Sequence, residues 1–135
     1  MGALRPGGLL AVTEMDFFPR FLPDDSALGG VEARLHAVLN DRPAIDWTED
    51  LTRAGFDLEA ERPFTVELAA PLPAATGRYA RTSLRRMRSH VGDRLPAADL
   101  AALDDSLDGD GPHSVLGRED LVVRTTRTTW AARRP

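Results

Sequence analysis

The sequence predicts an α/β fold built on three strands with helices between them. Three observations carry that reading. A glycine pair, Gly7–Gly8, opens onto the short apolar run Leu9–Leu10–Ala11–Val12–Thr13, the pattern of a strand covered on both faces. Helical and alternating periodicities then succeed one another in the order strand, helix, helix, strand, two helices, strand. The last segment is rich in β-branched residues, with Thr125, Thr126, Thr128 and Thr129 around Arg127, and such side chains favour strands.

Taken in order, Pro6 fixes its own φ, and Gly7–Gly8 supplies the freedom a turn needs before the first strand. One turn of buried helix is the alternative for Leu9–Thr13, and the glycines before it favour the strand. Met15–Asp16–Phe17–Phe18–Pro19–Arg20–Phe21–Leu22–Pro23 is aromatic and proline-bearing. It reads either as a ligand-facing loop beyond a strand's carboxyl end or as a hydrophobic loop packed on the core. Leu28, Val31, Leu35, Val38 and Leu39 recur at helical spacing. A second helix is expected over Ile45–Ala54, with Asp46 as N-cap, Glu49 at the capping-box position and Gly55 just past the end.

Phe56–Ala69 alternates. Leu58, Ala60, Phe64, Val66 and Leu68 share one face and are expected to be buried, while Glu59, Glu61, Thr65 and Glu67 face water. Pro63 suits an edge or a bulge. Thr76–Val91 reads as a helix with the basic face Arg78, Arg81, Arg85, Arg86 and Arg88. A helix over Ala97–Leu107 follows, ending before Asp108–Gly109–Asp110–Gly111–Pro112. The closing strand is expected over Asp120–Ala132, and the last two strands suit an antiparallel pair.

At 135 residues, 42% hydrophobic and 28% charged, the chain is long enough for one domain with a real core. It has no cysteine, which excludes disulfides and thiolate chemistry. No apolar run approaches the roughly 20 residues of a membrane span, and Met1–Pro6 lacks the pattern of a secretory signal. A cytoplasmic location is the expectation. The formal charge of −4 points away from nucleic acid as a partner. The acids gather at Asp99–Asp110 and the bases at Arg78–Arg94, so opposite patches can pair with each other or with a partner.

Leu4–Arg5–Pro6–Gly7–Gly8–Leu9–Leu10–Ala11–Val12–Thr13–Glu14 resembles the fifth-strand region of class I S-adenosylmethionine-dependent methyltransferases. Leu51–Thr52–Arg53–Ala54–Gly55–Phe56 resembles that family's helix end and lead into the sixth strand, and Leu121–Ala132 resembles its seventh. The resemblance covers nearly the whole chain, with 76–107 as a helical insertion in a single partial domain, 1–135. It implies a partial Rossmann-like methyltransferase fold in which the last strand runs antiparallel between the other two. It also implies that the chain is the C-terminal, substrate-side portion of such an enzyme. The glycine-rich turn and the acidic strand end that hold S-adenosylmethionine belong to the family's first half. This chain is therefore expected to bind that cofactor weakly or not at all by itself and to be inactive alone. The acceptor expected for the full-length relative is a small molecule. The alternative is a non-enzymatic module whose exposed strand edge pairs with a protein partner or a second copy.

Glu14 and Asp16, following the first strand, are the acidic candidates for facing substrate, as hydroxyl-orienting groups or a general base. A solvated strand end is the bland alternative. His113, in the Pro112–Ser114 loop, is the third catalytic candidate. His36 reads as structural or exposed, and His90 lies beside the arginine-rich helix. No pair of histidines has metal-ligand spacing, and no serine sits in Gly-x-Ser-x-Gly. Gly7–Gly8 precedes its strand, whereas a dinucleotide fingerprint follows one. Asp108–Gly111 is too short for a calcium loop. The arginine-rich helix either binds an anionic substrate or acidic partner or is a solvated face. Phe17, Phe18, Phe21, Tyr79 and Trp130 either line an apolar pocket or belong to the core.

Overall fold

A computed structural model describes residues 4–135. Met1–Ala3, read above as part of the leading segment, lie outside the described residues. The elements are β1 (Leu9–Met15), α1 (Ala27–Leu39), α2 (Thr48–Arg53), β2 (Asp57–Leu68), α3 (Ala74–Val91), α4 (Ala97–Leu107), a 3-10 turn (Val115–Gly117) and β3 (Val123–Arg133). The result is a small α/β fold with an antiparallel three-stranded sheet in the order β1-β3-β2 and helices inserted between the strands. The chain forms two compact units. Among the described residues, one comprises 4–17, Ala44–Val66 and Thr125–Pro135, the other Phe18–Pro43 and Glu67–Arg124.

The first unit is built on the sheet. β1 runs antiparallel to β3, with Leu10 opposite Ala132, Val12 opposite Trp130 and Glu14 opposite Thr128. Side chains two residues apart share a face, so Leu10, Val12, Trp130 and Ala132 lie together. Leu51, Phe56, Trp47 and Leu58 pack with them. Gly55 brings α2 to β2. At φ +90° it occupies a region open to glycine. Its N–H donates to Thr52 O and the Phe56 N–H donates to Leu51 O, both at 3.0 Å. These are the two bonds of a Schellman motif, and Leu51 and Phe56 make the hydrophobic contact that accompanies it.

Two expectations about this sheet are corrected. β1 is covered on one face only: Leu9 is 50% exposed and Ala11 and Thr13 are exposed. It is an edge strand among the described residues, and the residues of its other face meet no second layer. The apolar face of β2 is also open beyond Leu58. Ala60, Phe64, Val66 and Leu68 are all exposed, because β2 is the opposite edge and the apolar cluster ends at Leu58.

The second unit is a helical core. α3 turns Gly77, Ala80, Leu84, Met87 and Val91 inward, a three- and four-residue spacing that puts all of them on one stripe. Val31 and Leu35 from α1, Leu103 and Leu107 from α4, and Phe21, Leu22, Val115 and Leu121 complete the core. Burying a side chain such as Leu84 contributes about 2 kcal/mol. Phe18–Leu22 is neither helix nor free loop. Arg20 and Arg124 exchange both backbone hydrogen bonds, at 2.8 and 2.9 Å, and the Val122 N–H donates to Phe21 O. Phe21 and Leu22 are fully buried, so for these two the core reading of the segment is the one found.

Candidate functional site

The carboxyl end of β1 carries the acidic pair. Glu14 continues the face of Leu10 and Val12, and Asp16 follows two residues on. The indole Nε1–H of Trp47 donates to Glu14 Oε1 at 3.2 Å. The Thr128 hydroxyl donates to Asp16 Oδ1 at 3.0 Å, and the Asp16 N–H donates to Thr126 O. Each carboxylate is thus steadied by a neutral donor and has no ion-pair partner among the described residues. A carboxylate offers about four acceptor positions, so both retain capacity to accept from a hydroxyl or amine. On the same unit, the Thr48 N–H donates to Asp46 Oδ1 at 2.9 Å and holds that carboxyl below its usual range. The N-cap position of α2 is nevertheless Trp47, not Asp46 as expected, because the helix begins at Thr48, and Glu49 pairs with Arg53 instead of closing a capping box.

The structure brings Glu14 and Asp16 to one strand end. It places His113 in the other unit, on an exposed loop. There His113 lines a pocket of about 310 Å³ with Leu28, Val31, Ala102, Asp105 and Arg118. Arg118 is held by Asp120 through two hydrogen bonds. The His113 side chain makes no hydrogen bond among the described residues. Nor do three or more His, Cys, Asp or Glu side chains converge there as a metal site would require. Of the aromatic candidates, Phe21 and Trp130 are core, while Phe17 and Tyr79 are exposed. Tyr79 meets Phe21 edge-on at 5.3 Å.

The largest electrostatic construction in the second unit escaped sequence reasoning. Glu32 is completely buried on α1. Its carboxylate accepts from Arg20 Nε at 2.9 Å, from the Phe21 N–H at 2.9 Å and from the Leu22 N–H at 3.3 Å. Burial pushes its carboxyl above the ordinary value, against the pull of Arg20 and the two amides. Asp24 bridges Arg20 and Arg124, and chiefly the Arg124 hydrogen bonds lower it to about 2. His36, one turn beyond Glu32, is lowered to about 4 by burial first and then by the Arg20 charge. The signal in the sequence was the spacing Leu28, Glu32, Leu35, His36, which places two titratable groups on the apolar stripe of α1. This network fixes Phe18–Asp24, the segment that follows the acidic pair in sequence.

No protein-family model matches the chain, and no curated protein and no solved structure matches it significantly. No helix among the described residues is long and apolar enough to cross a membrane.

Proposed function

We propose that this chain is the C-terminal, substrate-facing portion of an S-adenosylmethionine-dependent methyltransferase, with Glu14 and Asp16 on the acceptor side. The observation that carries this reading is the strand order. The last strand in sequence lies between the other two and runs antiparallel to β1. Chain order alone would favour neighbouring strands in sequence pairing with one another, so a β1-β3-β2 order is informative. It is the order that the resemblance implies for the fifth, seventh and sixth strands. The segment Leu51–Phe56, with Gly55 closing α2 into β2, supports the same alignment.

The residues present do not fit the cofactor. β1 runs into Glu14–Met15–Asp16–Phe17–Phe18–Pro19 and β2 into Ala69–Ala70–Pro71–Leu72–Pro73. Neither segment has the glycines that let backbone approach a nucleotide. No chemical step through the cofactor is therefore derived from this chain. What the chain supplies is a pair of carboxylates at a strand's carboxyl end, suited to hold or deprotonate an acceptor hydroxyl or amine.

The test is to extend the reading frame upstream, purify the longer protein and titrate S-adenosylmethionine calorimetrically. Micromolar, saturable binding by the longer protein and none by residues 1–135 is expected. Glu14→Gln and Asp16→Asn should leave that binding intact and lower methyl transfer to a hydroxyl- or amine-bearing small molecule. Saturable binding by the 135-residue chain, or none by the extended one, overturns the proposal.

One observation favours a second reading, a partner-binding module without catalysis. β1 has β3 on one side and no strand on the other among the described residues, and it carries neither proline nor basic residue to blunt that edge. Light scattering tests it: a salt-insensitive dimer supports this module, and a compact monomer at all concentrations counts against it.

A further inference from the structure

Helix α3 contains five arginines and no acidic residue in 18 positions, in a chain whose net charge is −4. At 100° per residue these arginines spread over about 160° of the helix, opposite its buried stripe. Thr82 and Ser89 lie among them. Two of the five are engaged within the unit: Arg88 binds Asp104 through Nε and Nη2, and Arg85 donates to Leu107 O. Arg78, Arg81 and Arg86 have no ion-pair partner among the described residues.

The contacts of Arg85 and Arg88 set the C-terminal end of α4 alongside this row. From Pro96 to Gly117 the chain has no lysine or arginine, and Asp104, Asp105, Asp108 and Asp110 follow closely on one another. Asp105, Asp108 and Asp110 are exposed and unpaired among the described residues. A basic patch and an acidic patch therefore sit side by side on one unit, each with charge left over after their mutual pair.

The geometry points to a second copy of this chain as the occupant of this surface, with α3 of each protomer facing the Asp104–Asp110 stretch of the other. Adjacent patches of opposite sign are self-complementary under a two-fold axis, because the axis lays each on the other's opposite. An extended polyanion fits less well. Following the arginine row, it would run on to Asp104 and Asp108 and be repelled there. Surface ion pairs are individually weak, so the association is expected to be modest and strongly salt-dependent. The Debye length falls from about 10 Å at 0.1 M salt to about 3 Å at 1 M.

Sedimentation velocity on the purified 135-residue chain tests this. In 20 mM salt the average mass should rise from monomer towards dimer with concentration, and in 500 mM salt it should return to monomer. The triple variant Arg78→Glu, Arg81→Glu, Arg86→Glu should stay monomeric at low salt, as should Asp105→Arg, Asp108→Arg, Asp110→Arg. Mixing the two should restore the dimer, which a merely misfolded variant would not do; far-ultraviolet circular dichroism checks each fold. A monomer at every concentration in low salt overturns the inference. So does a dimer indifferent to salt and to both variants, which would assign association to a different surface. Retention of a labelled single-stranded oligonucleotide that the Arg→Glu variant abolishes, without self-association, would reassign the surface to nucleic acid.

Discussion

The Phe21 backbone N–H donates at 2.9 Å to the carboxylate of Glu32, a side chain with no exposed surface. That bond, with those from Leu22 and Arg20, makes one buried acid the anchor of the segment between β1 and α1. Glu32→Ala strands two buried amide donors and leaves Arg20 with Asp24 as its remaining partner, and buried donors left unsatisfied are costly. A loss of about 3 kcal/mol is expected in urea denaturation followed by circular dichroism. Glu32→Gln, which keeps one acceptor, should lose about half as much.

His36 gives the fold a dependence on pH. It is 5% exposed, and its folded-state value is depressed from 6.5 to about 4. Between those values the unfolded chain takes up a proton that the folded chain does not, so stability falls as pH falls through this window. A displacement of that size corresponds to about 3 kcal/mol. Glu32, raised by burial, works in the opposite sense at the lower end. Asp24 acts mainly below pH 4, because its value is lowered from 3.8 to about 2. Denaturation midpoints at pH 7, 5.5 and 4 for the parent and for His36→Leu isolate the imidazole. The parent should lose stability relative to the variant as the pH is lowered.

Gly29 and Gly30 are neighbours in α1 with opposite tolerance for a methyl group. A Cβ on Gly29 would meet Pro23 O at 1.8 Å, which is backbone and cannot yield cheaply. A Cβ on Gly30 would meet only the tip of Arg34 at 3.5 Å. Glycine to alanine within a helix ordinarily stabilises by about 0.5–1 kcal/mol. Gly30→Ala should show that gain in thermal unfolding. Gly29→Ala should instead lose at least about 2 kcal/mol, as overpacking does.

Trp130 is 1% exposed at the centre of the first unit's apolar cluster. Trp130→Ala should destabilise that unit by about 3–5 kcal/mol. Trp47 lies in the same cluster, so its fluorescence remains as the reporter of unfolding in the variant.

The elements themselves were largely legible. The α4 range Ala97–Leu107 is the one periodicity predicted, and Gly55 ends α2 as its position required. What periodicity conveys is which side chains are apolar, not whether a layer exists to cover them. The even face of β2 and the outer face of β1 were therefore read as buried and are open. The reverse error hid Glu32, since charge in a helix reads as solvent-facing until its partners are known, whereas His36 took the structural one of its two readings. Here the partners of Glu32 are backbone amides of Phe21 and Leu22, which no residue pattern announces. At the candidate site, the strand-end position of Glu14 and Asp16 was readable, but their donors were not. Trp47 and Thr128 lie 33 and 112 residues away from them in sequence.

The middle strand of the sheet is also the last one in the chain, with Leu9 opposite Arg133. During synthesis, neither β1 nor β2 can therefore pair with β3 until nearly all the residues between have been made. Pairings this distant in sequence form slowly, and strands held open in the meantime are prone to aggregate. For a chain whose second and larger unit can begin packing around α1 and α3 far earlier, the nascent sheet is the vulnerable part.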